Sequence, residues 1–157
     1  MVQACLARST AVVRNRTFGR PNGIAPLQSL PMTTKHTGDH GEALAADFLE
    51  GLGYRIMERN YRFDRAEVDL VAFAPWPDDD GGDLVFVEVK TRSGDGFGTG
   101  EEAVTPAKQL LLRKAAEAFL YERKLEGAPA RFDVVTVRLG HGAPEIVHYP
   151  HAFGMFF

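Results

Sequence analysis

This sequence has only one cysteine, no long apolar run, and no acidic residue in its N-terminal segment. The 157 residues include one cysteine, Cys5, which excludes an internal disulfide framework and makes a reducing, cytoplasmic environment the expectation. No apolar run approaches the roughly 20 residues that a membrane-spanning helix needs, so no membrane partner is expected. Apolar residues make up 45% and charged residues 25% of the chain, which is ordinary for a globular protein of one domain.

The first 34 residues contain no acidic residue at all. They carry four arginines among many Ser, Thr, Asn, Gly and Pro residues and show no sustained periodicity. We therefore interpret residues 1–34 as a disordered basic leader, or as sequence upstream of a true start at Met32, with a nucleic-acid-binding arm as the functional alternative. Residues 35–157 are then a single domain with 14 basic and 21 acidic residues, a net charge of −7. Any nucleic-acid contact by this domain would need a local basic patch.

Hydrophobic periodicity and breaker residues predict the order α-β-β-β-α-β-β. The first helix is expected to begin near Thr37 with an Asp39–Glu42 capping box and to end at Gly51 and Gly53. Strands are expected over 54–61, 66–74, 84–92, 131–139 and 145–149, the last at a sheet edge, and a second helix over 105–126. A strand-helix-strand passage predicts a parallel crossover, and the short link between the second and third strands predicts an antiparallel hairpin. The fold class is therefore α/β with a central mixed sheet.

The strand at 84–92 changes character along its length. Leu84, Phe86, Glu88, Lys90 and Arg92 share one face, which is apolar at its start and charged at its end. A strand of this kind indicates a core that opens into a cleft, where chemistry tends to be located.

A symmetric hairpin places a second carboxylate opposite Glu88. If the turn is centred between Asp78 and Asp79, Asp69 faces Glu88 and Glu67 faces Lys90, while Val68 lies on the opposite, apolar face. Two opposed carboxylates about 5 Å apart must share a proton or hold a cation between them. Oxygen ligands at this spacing suit Mg²⁺ or Mn²⁺, and Lys90 would then polarise a phosphate or help deprotonate the attacking water.

These residues resemble the D…(E/D)-x-K signature of restriction-endonuclease-like nucleases. The surrounding sequence is closer still to the YraN-like family of predicted endonucleases, whose pattern is similar to that of archaeal Holliday-junction resolvases. The likeness runs from Gly41-Glu42 to about Val137 and includes the segments 59–62, 67–70, 86–92, 97–98 and 131–135, together with Lys108. It implies a three-layer α-β-α restriction-endonuclease-like core, with Asp69, Glu88 and the Val89 carbonyl on the metal, Lys90 catalytic, and Glu42 assisting.

Each further candidate also has a plain structural interpretation. Glu42 is either the partner of the Asp39 cap or, because it shares a face with Ala45, Ala46 and Leu49, a side chain directed at the sheet. Glu67 forms a surface ion pair or holds Lys90 in place from outside the metal site. Lys108 is either solvated or held by an anion such as phosphate. Candidate phosphate contacts are Thr91, Arg92, Arg59 and Arg62, and for the three arginines the alternative is a simple solubilising charge.

Three other patterns are given structural interpretations. The Asp78-Asp79-Asp80 run fails the calcium-loop spacing and is interpreted as a solvated turn, and Ser93 to Gly100 as a mobile flap beside the substrate. His148 and His151 have no partner at metal-ligand spacing and are expected to lie along a strand edge.

The expected function is a Mg²⁺- or Mn²⁺-dependent nuclease that hydrolyses phosphodiester bonds in DNA, with branched DNA as one candidate substrate. The alternative is a non-catalytic nucleic-acid- or protein-binding module that retains the nuclease fold, which the net acidic charge of the domain favours. Resolvase-like cleavage of a junction would require two sites and hence a homodimer.

Overall fold

The computed structural model describes residues 13–14, 34–93 and 104–155. Its elements in chain order are β1 (Val13–Arg14), α1 (Thr34–Gly51), β2 (Arg55–Phe63), β3 (Ala66–Pro75), β4 (Gly82–Ser93), α2 (Pro106–Glu122), β5 (Ala130–Leu139) and β6 (Glu145–Phe153). Residues 94–100 of the expected flap, including Phe97-Gly98, lie outside the described residues. Neither described helix combines the length and apolarity that crossing a membrane requires.

The strands form one mixed sheet in the order β1-β6-β5-β4-β3-β2. Strands β4 and β5 are parallel across the α2 crossover, and the other neighbours are antiparallel. The predicted α/β class and element order of the main domain are thus confirmed.

The two helices cover opposite faces of the sheet. One apolar cluster packs Ala45, Ala46 and Leu49 of α1 against β3, β4 and β5. The other packs Leu112 and Phe119 of α2 against the reverse side of the same strands. Strand β4 is buried on both faces for this reason, which explains its near-continuous apolar sequence. The result is a three-layer α-β-α core.

Two predicted helix boundaries were wrong: the start of α1 and the end of α2. Helix α1 already begins at Thr34, so Asp39 lies inside the helix and the predicted capping box does not form. Helix α2 begins as predicted, with Thr105 accepting a bond from Lys108 N at 3.3 Å and Pro106 following. It ends at Glu122 and not near Glu126, because Lys124 adopts the left-handed conformation at φ 56°.

The bonds Leu125 N to Leu120 O and Lys124 N to Tyr121 O identify this end as a Schellman motif. Helix α1 ends in the same way, with Gly53 at φ 88° in the left-handed position.

The last strand also differs from expectation, and two residues of the N-terminal segment pair with it. Val13–Arg14, within the segment interpreted as a disordered leader, pairs antiparallel with His148 and Val147 of β6. Strand β6 extends to Phe153, beyond the predicted end at Tyr149, and lies between β1 and β5 and not at the edge. A two-residue strand has no periodicity of its own, so only its partner could reveal it.

Candidate metal and nucleic-acid site

The predicted hairpin register is confirmed over its turn-proximal part and ends where the charged residues begin. Pairs run from Pro75 with Gly82 to Leu70 with Val87. The next expected pairs, Asp69 with Glu88 and Glu67 with Lys90, are not part of this ladder. Strands β3 and β4 therefore separate at the charged end.

Asp69 marks the point of separation. Its Oδ2 accepts a hydrogen bond of 2.7 Å from Val89 N, so a side chain takes the place of a backbone acceptor from β3. Val68 packs in the cluster on the α2 side, whereas Leu70 packs in the cluster on the α1 side. The predicted placement of Val68 on one face with Leu70 was wrong, because the alternation of β3 is interrupted at Asp69.

The separated strands open into a cavity of about 530 Å³. Its lining residues come from the start of α1 and from β3 and β4: Thr37, Gly38, Glu42, Asp69, Glu88, Val89, Lys90, Thr91 and Ser93. The structure thus brings together the four predicted catalytic residues, Val89 and Thr91.

Glu88 is the most deeply buried charge in the cleft, at 3% side-chain exposure. Lys90 Nζ lies 2.6 Å from its Oε1, and Lys108 Nζ lies 3.1 Å from its Oε2. Oε2 nevertheless has no hydrogen-bond partner among the described residues, so its contact with Lys108 provides charge without hydrogen-bond geometry. A buried carboxylate oxygen in this position is open to a further ligand.

Asp69 carries a strongly perturbed carboxyl group. Burial, and next the charge of Glu88, raise the pKa of Asp69 to about 7, against the opposing effects of Val89 N–H and Lys108. Two neighbouring carboxylates that resist joint ionisation form an arrangement that a cation would stabilise.

Glu42 approaches the cleft from α1. Burial raises the pKa of Glu42, partly offset by a hydrogen bond from Asn60, and the charge of Glu42 in turn contributes to the raised pKa of Asp69. Glu42 can come this close because Gly41 is packed against Thr91, where any Cβ would lie 1.8 Å from Thr91 Oγ1.

Asn60, which donates a hydrogen bond to Glu42, was not predicted as a site residue from the sequence. It lies on β2 between the pairs Arg59 with Leu70 and Tyr61 with Val68, which places it opposite Asp69. Its φ of 54° is in the left-handed region, which asparagine tolerates better than most residues. The segment 59–62 in the family likeness was the only available signal.

The remaining candidates occupy varied positions. Lys108 contacts Glu88 and also donates to the Glu67 backbone oxygen at 3.3 Å. The Glu67 carboxylate pairs with Arg62 at 3.0 Å and not with Lys90. Arg59 is exposed and close enough to Glu42 to lower its pKa, and Arg92 is exposed at the end of β4.

A second polar network lies near the hairpin-turn end of β4 and was not predicted. His148, expected along an edge, is 2% exposed, and its Nε2 lies 2.8 Å from an oxygen of buried Asp133. Asp133 also accepts bonds from Arg131 Nε and His151 N, and Arg131 continues to Asp83. These bonds hold the pKa of Asp133 below its usual value despite burial. An acid inside an apolar strand was the one sequence signal for a buried partner.

Comparison with known proteins gives this site a family context. The family model "Uncharacterised protein family UPF0102" matches residues 41–137, the same span as the YraN-like likeness. The chain belongs to the UPF0102 family. A UPF0102 protein of Geotalea daltonii is 45% identical over 122 residues, covering 77% of this chain and 91% of that protein.

Two further relatives agree in extent. UPF0102 protein STH1475 of Symbiobacterium thermophilum is 50% identical over 107 residues, covering 68% of this chain and 86% of the relative. UPF0102 protein GSU0650 of Geobacter sulfurreducens is 48% identical over 120 residues, covering 76% and 89%. These UPF0102 names state no activity, and function has to be inferred from the residues of the site.

Proposed function

We propose that this UPF0102 protein is a divalent-metal-dependent nuclease that hydrolyses phosphodiester bonds in DNA, with branched DNA as a candidate substrate. One observation carries the proposal: Asp69 and Glu88 line one cavity where the β3–β4 ladder ends, and Lys90 contacts Glu88 at 2.6 Å. Acids and an amine gathered in a cleft are the components of metal-assisted hydrolysis.

The donor set fits Mg²⁺ or Mn²⁺. Across the described ranges no group of three or more His, Cys, Asp or Glu residues could hold a metal, so a multi-acid cage of the calcium type is not supported. Mg²⁺ takes one or two carboxylates and keeps several waters, which suits Asp69 with Glu88. Oε2 of Glu88 is buried and has no hydrogen-bond partner among the described residues.

Val89 would supply the third protein ligand through its carbonyl oxygen. In a strand the N–H and C=O of one residue point toward the same neighbour, and Val89 N–H points toward Asp69 of β3. The Val89 carbonyl is therefore directed into the gap where the ladder has ended.

A bound ion would polarise the scissile phosphate and lower the pKa of the attacking water. Lys90, 33% exposed at the cleft, would donate to a phosphate oxygen or hold that water in line. Glu42, which lines the same cavity and whose pKa is raised by burial, would accept the proton that the water loses. The water oxygen would then bond to phosphorus as the P–O ester bond breaks, and the leaving sugar oxygen would take a proton from solvent water.

Nucleic-acid contact would be local. Thr91 lines the cleft, Arg59 and Arg92 are exposed near it, and Lys108 contacts the cleft residue Glu88 from α2. Arg62 would first have to leave its exposed ion pair with Glu67, which costs little. The excess of acid in residues 35–157 makes binding away from this patch unfavourable.

The test is cleavage of supercoiled, linear and four-way-junction DNA by the purified protein with Mg²⁺ or Mn²⁺. We expect cleavage that Lys90→Ala and Asp69→Asn each reduce at least about 100-fold, because both remove groups needed in the transition state. Lys114→Ala, a lysine exposed on α2, is the matched control and should cleave like the parent. Intact substrates in every condition, or equal cleavage by both site variants, would refute the proposal.

The second candidate function is a non-catalytic nucleic-acid- or protein-binding module. The contacts of Glu88 with two ammonium groups favour it, because this carboxylate is charge-compensated without any ion. Such a scaffold is not expected to bind Mn²⁺ tightly at a site that Asp69→Asn abolishes.

A further inference from the structure

Lys108 occupies an unusual position for a lysine. It lies in the first turn of α2, where a positive charge opposes the helix dipole. Its Nζ crosses to the sheet and lies 3.1 Å from Glu88 Oε2 and 3.3 Å from the Glu67 backbone oxygen. The side chain is only 31% exposed, so this amine lies more against Glu88 and the sheet than in solvent. Glu88 provides the charge that offsets the unfavourable helix position.

The two oxygens of Glu88 are held differently. Oε1 accepts a hydrogen bond of 2.6 Å from Lys90. Oε2 is buried and has the charge of Lys108 nearby, but no hydrogen bond among the described residues. The contact between Oε2 and Lys108 therefore supplies charge compensation without a hydrogen bond. A stronger ligand for Oε2 can replace such a contact.

An ammonium group and a divalent ion compete for this oxygen, because both are cations that would approach it in the same confined space. Mg²⁺ requires oxygen ligands at about 2.0–2.1 Å in near-octahedral geometry. The charge of the ion would also repel the ammonium group of Lys108 a few ångströms away. An ion that binds Oε2 of Glu88 would therefore displace Lys108 from that oxygen.

We propose that Lys108 is an internal counter-ion that holds the place of the divalent metal at Glu88 and leaves when the metal binds. Lys108 is a positioning residue under this proposal: it keeps Glu88 paired in the metal-free state and limits metal affinity. The released amine stays beside the cleft, where it can meet a substrate phosphate. The inference rests on the proposed metal-dependent function and adds a control on occupancy of the same site.

A purely structural role for Lys108 predicts the opposite result. If the lysine only ties α2 to β3 and β4, its removal loosens the cleft, and metal affinity falls or stays unchanged. If it competes with the metal, its removal increases metal affinity even though a stabilising contact is lost.

The experiment is calorimetric titration of the metal-free protein with Mn²⁺, comparing the parent with Lys108→Met. Methionine keeps an unbranched side chain without the charge. We expect Lys108→Met to bind Mn²⁺ roughly tenfold or more tightly. Lys114→Met removes the same charge from the exposed side of the same helix and should stay within about threefold of the parent.

Two more variants separate the possible outcomes. Lys108→Arg retains the charge and should stay close to the parent, and Lys108→Gln replaces Lys108→Met if the latter fails to fold. Unchanged or weaker Mn²⁺ binding in the uncharged variant, with the parent binding normally, overturns the role of Lys108 alone. Failure of the parent itself to bind Mn²⁺ overturns the proposed metal-dependent function, and this inference with it.

Discussion

At the scale of single residues, Asp69 shows both what alternation predicts and what it cannot. Strand alternation and the turn position predicted the β3–β4 register correctly up to Leu70 with Val87, and the expected pair of Asp69 with Glu88 falls just beyond the end of that ladder. Alternation assigns every side chain to a face, however, and Asp69 instead reaches toward β4 to bond Val89 N. Asp69 can reach β4 because the β3–β4 ladder ends at this point. Where a ladder ends depends on residues packed around it from elsewhere in the chain, which strand alternation does not reveal.

The raised pKa of Asp69 predicts a pH-dependent effect of Asp69→Asn on stability. The folded state keeps the Asp69 proton up to about pH 7, whereas the unfolded chain loses it near 4. The carboxyl group therefore favours folding at low pH, and this contribution is lost as pH rises through that window. Asparagine cannot ionise and still offers an oxygen to Val89 N.

Metal-free Asp69→Asn should consequently gain Tm relative to the parent between pH 5 and pH 8, by on the order of 3 °C. Scanning calorimetry in the presence of a chelator measures the difference. Asp78→Asn removes a carboxylate from an exposed turn and controls for lost net charge. An equal Tm difference for Asp69→Asn at both pH values would mean that burial and the charge of Glu88 do not raise the pKa of Asp69.

The network around Asp133 marks a limit of residue-level prediction. His148 lies 15 positions away from Asp133 in the chain and becomes buried because β6 continues past it and pairs on both sides. Neither residue shows a spacing that indicates the contact. The buried acid signals that a partner exists without identifying it.

At the scale of elements, the close approach of α1 to β4 positions Glu42. Gly41 is buried against Thr91, and an added Cβ would lie 1.8 Å from Thr91 Oγ1. Alanine normally stabilises a helix interior by about 0.5–1 kcal/mol relative to glycine. Here the clash has to push α1 or Thr91 aside, at a cost of about 1–3 kcal/mol.

We therefore expect Gly41→Ala to lower the free energy of unfolding by about 1–2 kcal/mol in urea denaturation. Gly38→Ala is the matched control, because it lies in the same helix with nothing within 4 Å of the added Cβ. That variant should be neutral or stabilised by up to about 1 kcal/mol. Stabilisation of both variants would show that α1 does not depend on this contact.

Element boundaries were harder to predict than element identity. The Asp39–Glu42 pattern fits a capping box, but residues 34–38 contain no breaker strong enough to prevent the helix from starting earlier. The end of α2 depends on a left-handed lysine, Lys124, where glycine is the usual signal. Lysine carries no sequence mark of that conformation.

At the scale of the whole molecule, the element order determined the architecture. A strand-helix-strand passage gave the parallel β4–β5 pair, and the second helix had to cover the face that the first left open. Because β4 is central and buried, its charged end opens onto the cleft only where β3 diverges. The cleft is therefore a product of sheet topology as well as of its acids.

The most direct test of the account is where a divalent ion binds. Crystals soaked in Mn²⁺ and measured for anomalous scattering should show a peak at about 2.1–2.2 Å from carboxylate oxygens of Asp69 and Glu88. The Lys108 amine should have moved off Glu88 in the same map. A fully occupied ion elsewhere, with Lys90 and Lys108 still holding Glu88 and no peak in the cleft, would contradict the account.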